Sequence, residues 1–190
     1  RDEAAERGLA IVDASGMGCF ADYDRDGWLD VYIQTNLKDF TSSPEGEPDQ
    51  LFRNNGDGTF SNVTDAAGIL KQPTQGHSAT WWDFDGDGWL DLFVANDFAP
   101  PDFVYRNNRD GTFSNVIDQA LPHTPYSSMG SDIGDIDNDG RIDLYVADMA
   151  GTTHESTQRG LADSRARTTP TQNEQLDKAI QLLYNALYLN

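Results

Sequence analysis

The sequence predicts an all-β fold, a β-propeller of four-stranded blades, with about three blades present as a segment of a longer ring. Three observations carry that expectation. Short apolar runs rich in β-branched and aromatic residues alternate with Asn, Asp and Gly turns, the pattern of successive strands. One nine-residue acidic motif occurs three times, and each copy leads straight into such a run. The whole pattern returns every ~50–60 residues, the length of a four-stranded blade.

The acidic motif reads Asp-x-Asp-x-Asp-Gly-x-x-Asp and spans Asp22 to Asp30, Asp83 to Asp91 and Asp135 to Asp143. Ca²⁺ is a hard cation that takes about six to eight oxygen ligands in a forgiving geometry. Carboxylates at positions 1, 3, 5 and 9 of a tight turn supply such oxygens. The candidate ligands are therefore Asp22, Asp24, Asp26 and Asp30; Asp83, Asp85, Asp87 and Asp91; and Asp135, Asp137, Asp139 and Asp143. By analogy with helical Ca²⁺ loops, the backbone carbonyls of Trp28, Trp89 and Arg141 at position 7 add one oxygen each. The glycines at position 6, Gly27, Gly88 and Gly140, permit the positive φ that bends the chain around an ion. The last aspartate is expected to close the shell with both oxygens. About three Ca²⁺ ions follow from this count. An EF-hand does not fit, because that loop places Glu at position 12 between two helices. Here position 12 is Ile33, Val94 or Val146, inside a β-type run.

Each element follows in order from the repeat. Tails such as Trp28-Leu29-Asp30-Val31-Tyr32-Ile33 read as the second strand of a blade. The motifs from Leu51 to Val63 and from Val104 to Val116 are apolar runs around an Asn/Asp/Gly turn, hence β-hairpins. In the second repeat the inner strand is expected over Ser78 to Phe84 and the next over Trp89 to Asn96. A third follows over Phe103 to Asn107, and an outer one over Thr112 to Ile117. Small residues recur before each loop, Gly18, Ala79 and Ser131, and suit crowded inner strands. Trp81, Trp89, Phe93 and Phe113 are expected to fill the space between blades.

The organisation that results is a single propeller segment. Residues 1–10 end a preceding blade, 11–70 and 71–121 form two blades, and 122–190 form an incomplete one. Glu6-Arg7-Gly8-Leu9 matches Ala66-Ala67-Gly68-Ile69, and Ala186 to Asn190 matches the strand that begins at Leu51. Residues 151–172 form a polar insert, and 173–184 have helical spacing with Leu176, Ile180, Leu183 and Tyr184 on one face. Both ends fall within a repeat, so a longer parent chain or self-association is expected to close the ring.

Composition narrows the function. With 32 acidic against 13 basic residues, the net charge is −19. That excludes a nucleic-acid binder of the usual basic kind and disfavours anionic membrane surfaces. Hydrophobic content of 37% and aromatic content of 11% belong to a folded domain. Cys19 is alone and reads as a small buried hydrophobe. No stretch approaches the ~18 apolar residues of a membrane span. No leader is visible at Arg1-Asp2-Glu3, so the natural N-terminus is expected to lie upstream.

The triplicated acidic loop within four-stranded repeats resembles the FG-GAP/VCBS repeats of integrin α-subunit propellers. The Arg-Asn-Asn-x-Asp-Gly-Thr-Phe hairpin and the segments Ala147-Asp148-Met149 and Asn185 to Asn190 are most similar to the ASPIC/UnbV-type branch. The resemblance implies a seven-bladed propeller, structural Ca²⁺ in the loops between first and second strands, and a secreted, periplasmic or cell-surface location. The function it implies is binding, adhesion or scaffolding rather than catalysis. The partner would be a protein or a glycan, in an extracellular assembly. The alternative is a carbohydrate-active enzyme or a lectin-like module using Trp81 or Tyr126. His77, His123 and His154 lie in separate segments, and no nucleophile motif accompanies them.

Overall fold

The computed structural model describes residues 1–12, 15–39, 45–46, 48–72, 74–97, 101–149, 181–182 and 185–190. Three antiparallel blades run along the chain. The first orders β1 (Ser15–Ala21), β2 (Asp30–Thr35), β5 (Gln50–Asn54) and β6 (Phe60–Asn62) side by side. A small hairpin of β3 (Leu37–Asp39) and β4 (Glu45–Gly46) rises between its middle strands. The second blade orders β7 (Gly76–Trp82), β8 (Asp91–Asn96), β9 (Phe103–Asn107) and β10 (Phe113–Asn115). A short helix, α1 (Ile117–Ala120), and β11 (Thr124–Pro125) lead to the third blade, where β12 (Ser128–Gly134), β13 (Asp143–Asp148) and β15 (Ala186–Tyr188) pair. The outer strand expected over Thr112 to Ile117 is shorter because Asn115 Oδ1 accepts the Ile117 N–H and turns the chain into α1.

The predicted insert 151–172 lies outside the described residues, as does most of the helix expected over 173–184. Within that helical range Gln181–Leu182 instead form β14, parallel to β11.

Register is the same in all three blades. Gly18, Ala79 and Ser131 oppose Ile33, Val94 and Val146, and each inner strand carries an irregularity near its start. Inner strands of adjacent blades touch directly. Trp81 Nε1 donates to the Cys19 carbonyl at 3.3 Å, and Ser131 Oγ sits 2.8 and 2.7 Å from Ser78 Oγ and Thr80 Oγ1.

Between the blades lie two apolar layers. Tyr32, Leu51 and Tyr23 of the first blade pack on Leu92, Val94, Phe103 and Tyr105 of the second, and the Tyr23, Trp81 and Phe113 rings contact one another. Phe93 and Val104 of the second blade then pack on Leu144 and Val146 of the third. Period-two alternation explains this: neighbouring residues of one strand face opposite blades. The third blade presents the matching residues to solvent. Tyr32 and Phe93 are 0% exposed, whereas their counterpart Tyr145 is 39% exposed; Leu51 and Val104 are 0%, and Leu187 is 49%.

A polar tie joins the blades at the end of the strands away from the acidic loops. Asp49 accepts from the Thr35 N–H, the Tyr32 hydroxyl and the Thr74 hydroxyl of the next blade. Asp102 does the same with the Asn96 N–H and the Ser128 hydroxyl. In the third blade an amide, Asn185 Oδ1, accepts the Asp148 N–H. Each ties the end of a second strand to the start of a third, and the two carboxylates also reach the next inner strand. Turns 4–8 and 64–68 serve the outer strands alike: Arg7 and Ala67 carbonyls accept the N–H groups of Phe60 and Phe113.

Burial pushes the Asp102 carboxyl from its ordinary value up to about 8, against the pull of the Asn96 and Ser128 hydrogen bonds. The folded chain thus holds this proton more tightly than the unfolded chain. The stabilisation is complete below the unfolded value near 3.8 and is lost as pH rises through about 8. Asp102→Asn, which copies Asn185, should shrink the fall in unfolding free energy between pH 4 and pH 8 by up to about 5 kcal/mol, measured by urea melts. Gly68 has φ +77, and a Cβ there would sit 3.0 Å from the Phe113 carbonyl oxygen. Gly68→Ala should therefore lower stability by about 1–2 kcal/mol in the same assay.

Candidate metal centres

Each acidic loop is built from strand ends and its own hydrogen bonds. In the first loop Asp22 Oδ1 and Oδ2 accept the N–H groups of Asp26 and Gly27, Asp24 Oδ1 accepts the Asp26 N–H, and Asp26 Oδ1 accepts the Trp28 N–H. The second and third loops repeat all four bonds. Position 6 has the expected positive φ, +91, +86 and +88 for Gly27, Gly88 and Gly140. Position 4 does as well, at Arg25 (φ 60), Gly86 (φ 71) and Asn138 (φ 62). Sequence reading missed that second left-handed position, although Gly86 and Asn138 are residue types that favour it.

The aspartates at positions 1, 3 and 9 converge. Among the described residues, Asp22, Asp24 and Asp30 bring one oxygen each within 4.8 Å of one another, as do Asp83, Asp85 and Asp91, and Asp135, Asp137 and Asp143. The closing residues Asp30, Asp91 and Asp143 are buried, at 0–1% exposure. One oxygen of each accepts the N–H at position 2 of its loop, from Tyr23, Phe84 or Ile136. The other accepts from the end of the third-strand segment, at Asn54, Asn107 or Asn190. Both oxygens are thus engaged, each keeping a second lone pair for a cation.

Burial raises the Asp30 and Asp91 carboxyls to about 6, reinforced by the neighbouring loop aspartates and opposed by the backbone N–H groups. A buried carboxylate among other carboxylates is costly to ionise, and a bound cation removes that cost. The donor set fits Ca²⁺ chemically: it is all oxygen, negatively charged and multidentate.

The position-5 aspartates stand apart from these triads, each gripped by a guanidinium on its outer oxygen. Arg53 donates to Asp26 Oδ2 at 3.0 Å and also to Asp24 Oδ2 at 2.7 Å. Arg109 Nε donates to Asp87 Oδ2 at 2.8 Å, and Arg141 Nε to Asp139 Oδ2 at 2.9 Å. The three arginines come from a third strand, a hairpin turn and position 7 of the loop itself. Burial opposes it, yet the Trp89 N–H and the Arg109 and Arg25 charges keep the Asp87 carboxyl below the usual range. Hydrogen bonds from Arg141 do the same for Asp139.

The remaining candidates fall elsewhere. Trp28 lies on the surface against Gly56, 51% exposed, and Trp89 is half-buried beneath Arg25; neither joins the apolar layers. Trp89 was expected between blades, but position 7 sits in the turn, before the strand begins at Asp91. The aromatics proposed for glycan stacking are covered: Trp81 is stacked on Tyr23, and Tyr126 is buried. His77 lies in β7, 3.7 Å from Asp97, and the His123 ring lies tilted against Tyr188 at 5.6 Å between centroids. Cys19 is partly buried, and desolvation pushes its thiol to about 12.

Two substitutions separate ligand from scaffold. Asp91→Ala should cost about 2–4 kcal/mol even under EDTA, because it strands two backbone N–H groups away from water. Asp85→Ala, on an exposed residue, should cost less than about 1 kcal/mol there. Equal losses in chemical denaturation would contradict this division.

Comparison with known proteins agrees with the repeat. A family model described as "FG-GAP-like repeat" matches residues 22–94 and 83–146. The chain is similar to cartilage acidic protein 1 of Homo sapiens, 26% identical over 157 residues, covering 79% of this chain and 22% of that protein. The same protein of Mus musculus is 26% identical over 152 residues (79% and 22%), and that of Xenopus tropicalis 26% over 125 residues (62% and 18%). The chain spans about a fifth of the length of these curated relatives. Two matched stretches that each begin on an acidic loop and run into the strand after the next, on blades of common register, place the chain in the FG-GAP-like repeat family.

Proposed function

We propose that the chain is a Ca²⁺-stabilised segment of an extracytoplasmic propeller, secreted, periplasmic or at the cell surface, that serves as a binding, adhesion or scaffold module without catalysis of its own. One observation carries this reading: three acidic triads occupy equivalent blade positions, each closed by a buried aspartate that also holds the second and third strands together. The proposed ligands are Asp22, Asp24, Asp26 and Asp30 with the Trp28 carbonyl, and their counterparts in the other two loops. Position 5 would join by its inner oxygen while arginine holds the outer one. A cation there is structural, since it offsets charge at a strand junction.

The blade boundaries at residues 10, 70 and 121 follow the same reading. The exposed Tyr145, Leu187 and Ile136 correspond to residues buried between blades elsewhere, which supports a further blade on that face. The resemblance implies a ring of seven. A protein or glycan partner would then be met by the assembled ring. Among the described residues, no helix is long and apolar enough to cross a membrane.

Calcium binding stabilises the folded state by mass action, with affinities of about 10⁻⁴–10⁻³ M expected for extracellular sites. Thermal melts should therefore shift down with EDTA and recover with millimolar Ca²⁺. A variant carrying Asp24→Ala, Asp85→Ala and Asp137→Ala should show no calcium response. Without cation, the raised Asp30 and Asp91 carboxyls contribute stability that is present below about 4 and lost through about 6. The calcium-induced shift should grow over that same interval, because the ion binds the deprotonated form. A melting temperature indifferent to chelation at pH 7.5 would overturn the reading.

A further inference from the structure

Two side chains link the first two acidic loops: Asn107 Nδ2 donates to the Tyr23 and Leu90 carbonyls at 2.9 and 3.1 Å, and Arg25 of the first loop lies over Trp89 of the second. Arg25, at position 4 of the first loop, lies between Asp24 and Asp26, and its guanidinium carbon sits 4.5 Å from the centre of the Trp89 ring. Trp89 is position 7 of the second loop, and its N–H donates to Asp87. The guanidinium also lies against the turn of the second loop, where a Cβ on Gly88 would sit 3.0 Å from Arg25 Nη2. Arg25 has φ 60, a left-handed conformation that its counterparts Gly86 and Asn138 adopt with less strain. Gly86 has no side chain to extend from the second loop toward the third.

We propose that Arg25 couples cation binding at the first and second loops. An ion in the first loop fixes the Asp24–Arg25–Asp26 turn and thereby the direction of the guanidinium. That holds Trp89 and Gly88 in the conformation the second loop needs. The second loop then binds without having to order itself, so the two sites fill with positive linkage while the third fills alone. Linkage is reciprocal, so an ion in the second loop favours the first to the same degree. The coupling rests on the calcium reading above and adds a claim about the order in which the sites fill.

Each loop has its own reporter. The Gly27, Gly88 and Gly140 amides donate to Asp22, Asp83 and Asp135 at 3.0, 2.7 and 3.0 Å, so their NMR shifts follow three occupancies separately during a CaCl₂ titration. Asp24→Asn weakens the first loop. With Arg25 present, it should weaken calcium binding at Gly88 by about fivefold or more and leave Gly140 unmoved. In an Arg25→Asn background, which copies Asn138, Asp24→Asn should leave Gly88 unchanged. Arg25→Gly, which copies Gly86, is the second such background. A Gly88 response indifferent to Asp24→Asn, or equally weakened with and without Arg25, overturns the coupling. Three glycines that all ignore calcium overturn the metal reading and the coupling with it.

Discussion

The structure depends on the buried carboxylate that ends each acidic loop. Asp30, Asp91 and Asp143 open the second strands, and each spends one oxygen on its own loop and the other on the third-strand segment. A neutral side chain of this size offers one acceptor, not two. The aspartate is therefore required by backbone satisfaction before any ion is considered. Its charge is the difficulty, because it is removed from water beside other carboxylates. Loop folding and the proposed cation binding are for this reason two aspects of one electrostatic problem.

The opposite end of each blade solves a related problem without any loop. Asp49 and Asp102 are buried acceptors that reach across to the following blade, and in the third blade an amide takes over the bond within the blade. The fold is thus fastened at both ends by polar side chains, with apolar layers in between. At the loop end arginines supply counter-charge; at the other end hydroxyl and backbone donors surround a carboxyl that favours its proton. The two ends titrate in different ranges, the buried loop aspartates Asp30 and Asp91 near about 6 and Asp102 near about 8.

Much of this was legible in the sequence. The acidic motif gave the turn, its glycine gave the bend, and Phe93 and Phe113 were expected in the layers between blades where they lie. The third strand of the second blade was legible residue for residue, from Phe103 to Asn107. Three features were not. The position-4 left-handed turn was hidden by Arg25, a residue type that does not advertise it. Asp49 and Asp102 carry no motif, because nothing local says that hydroxyls from another blade will enclose them. The position-5 arginine grips were invisible because each arginine stands at a different place in the repeat.

That last feature bears on how such repeats diverge. The guanidinium reaches the same oxygen from a strand, from a turn or from within the loop, so no single column of an alignment carries it. Selection acting on the contact leaves each arginine free to drift once another can take its place. Equivalent blades of one chain can then differ in the position that supplies a shared counter-charge while the oxygen it reaches stays the same.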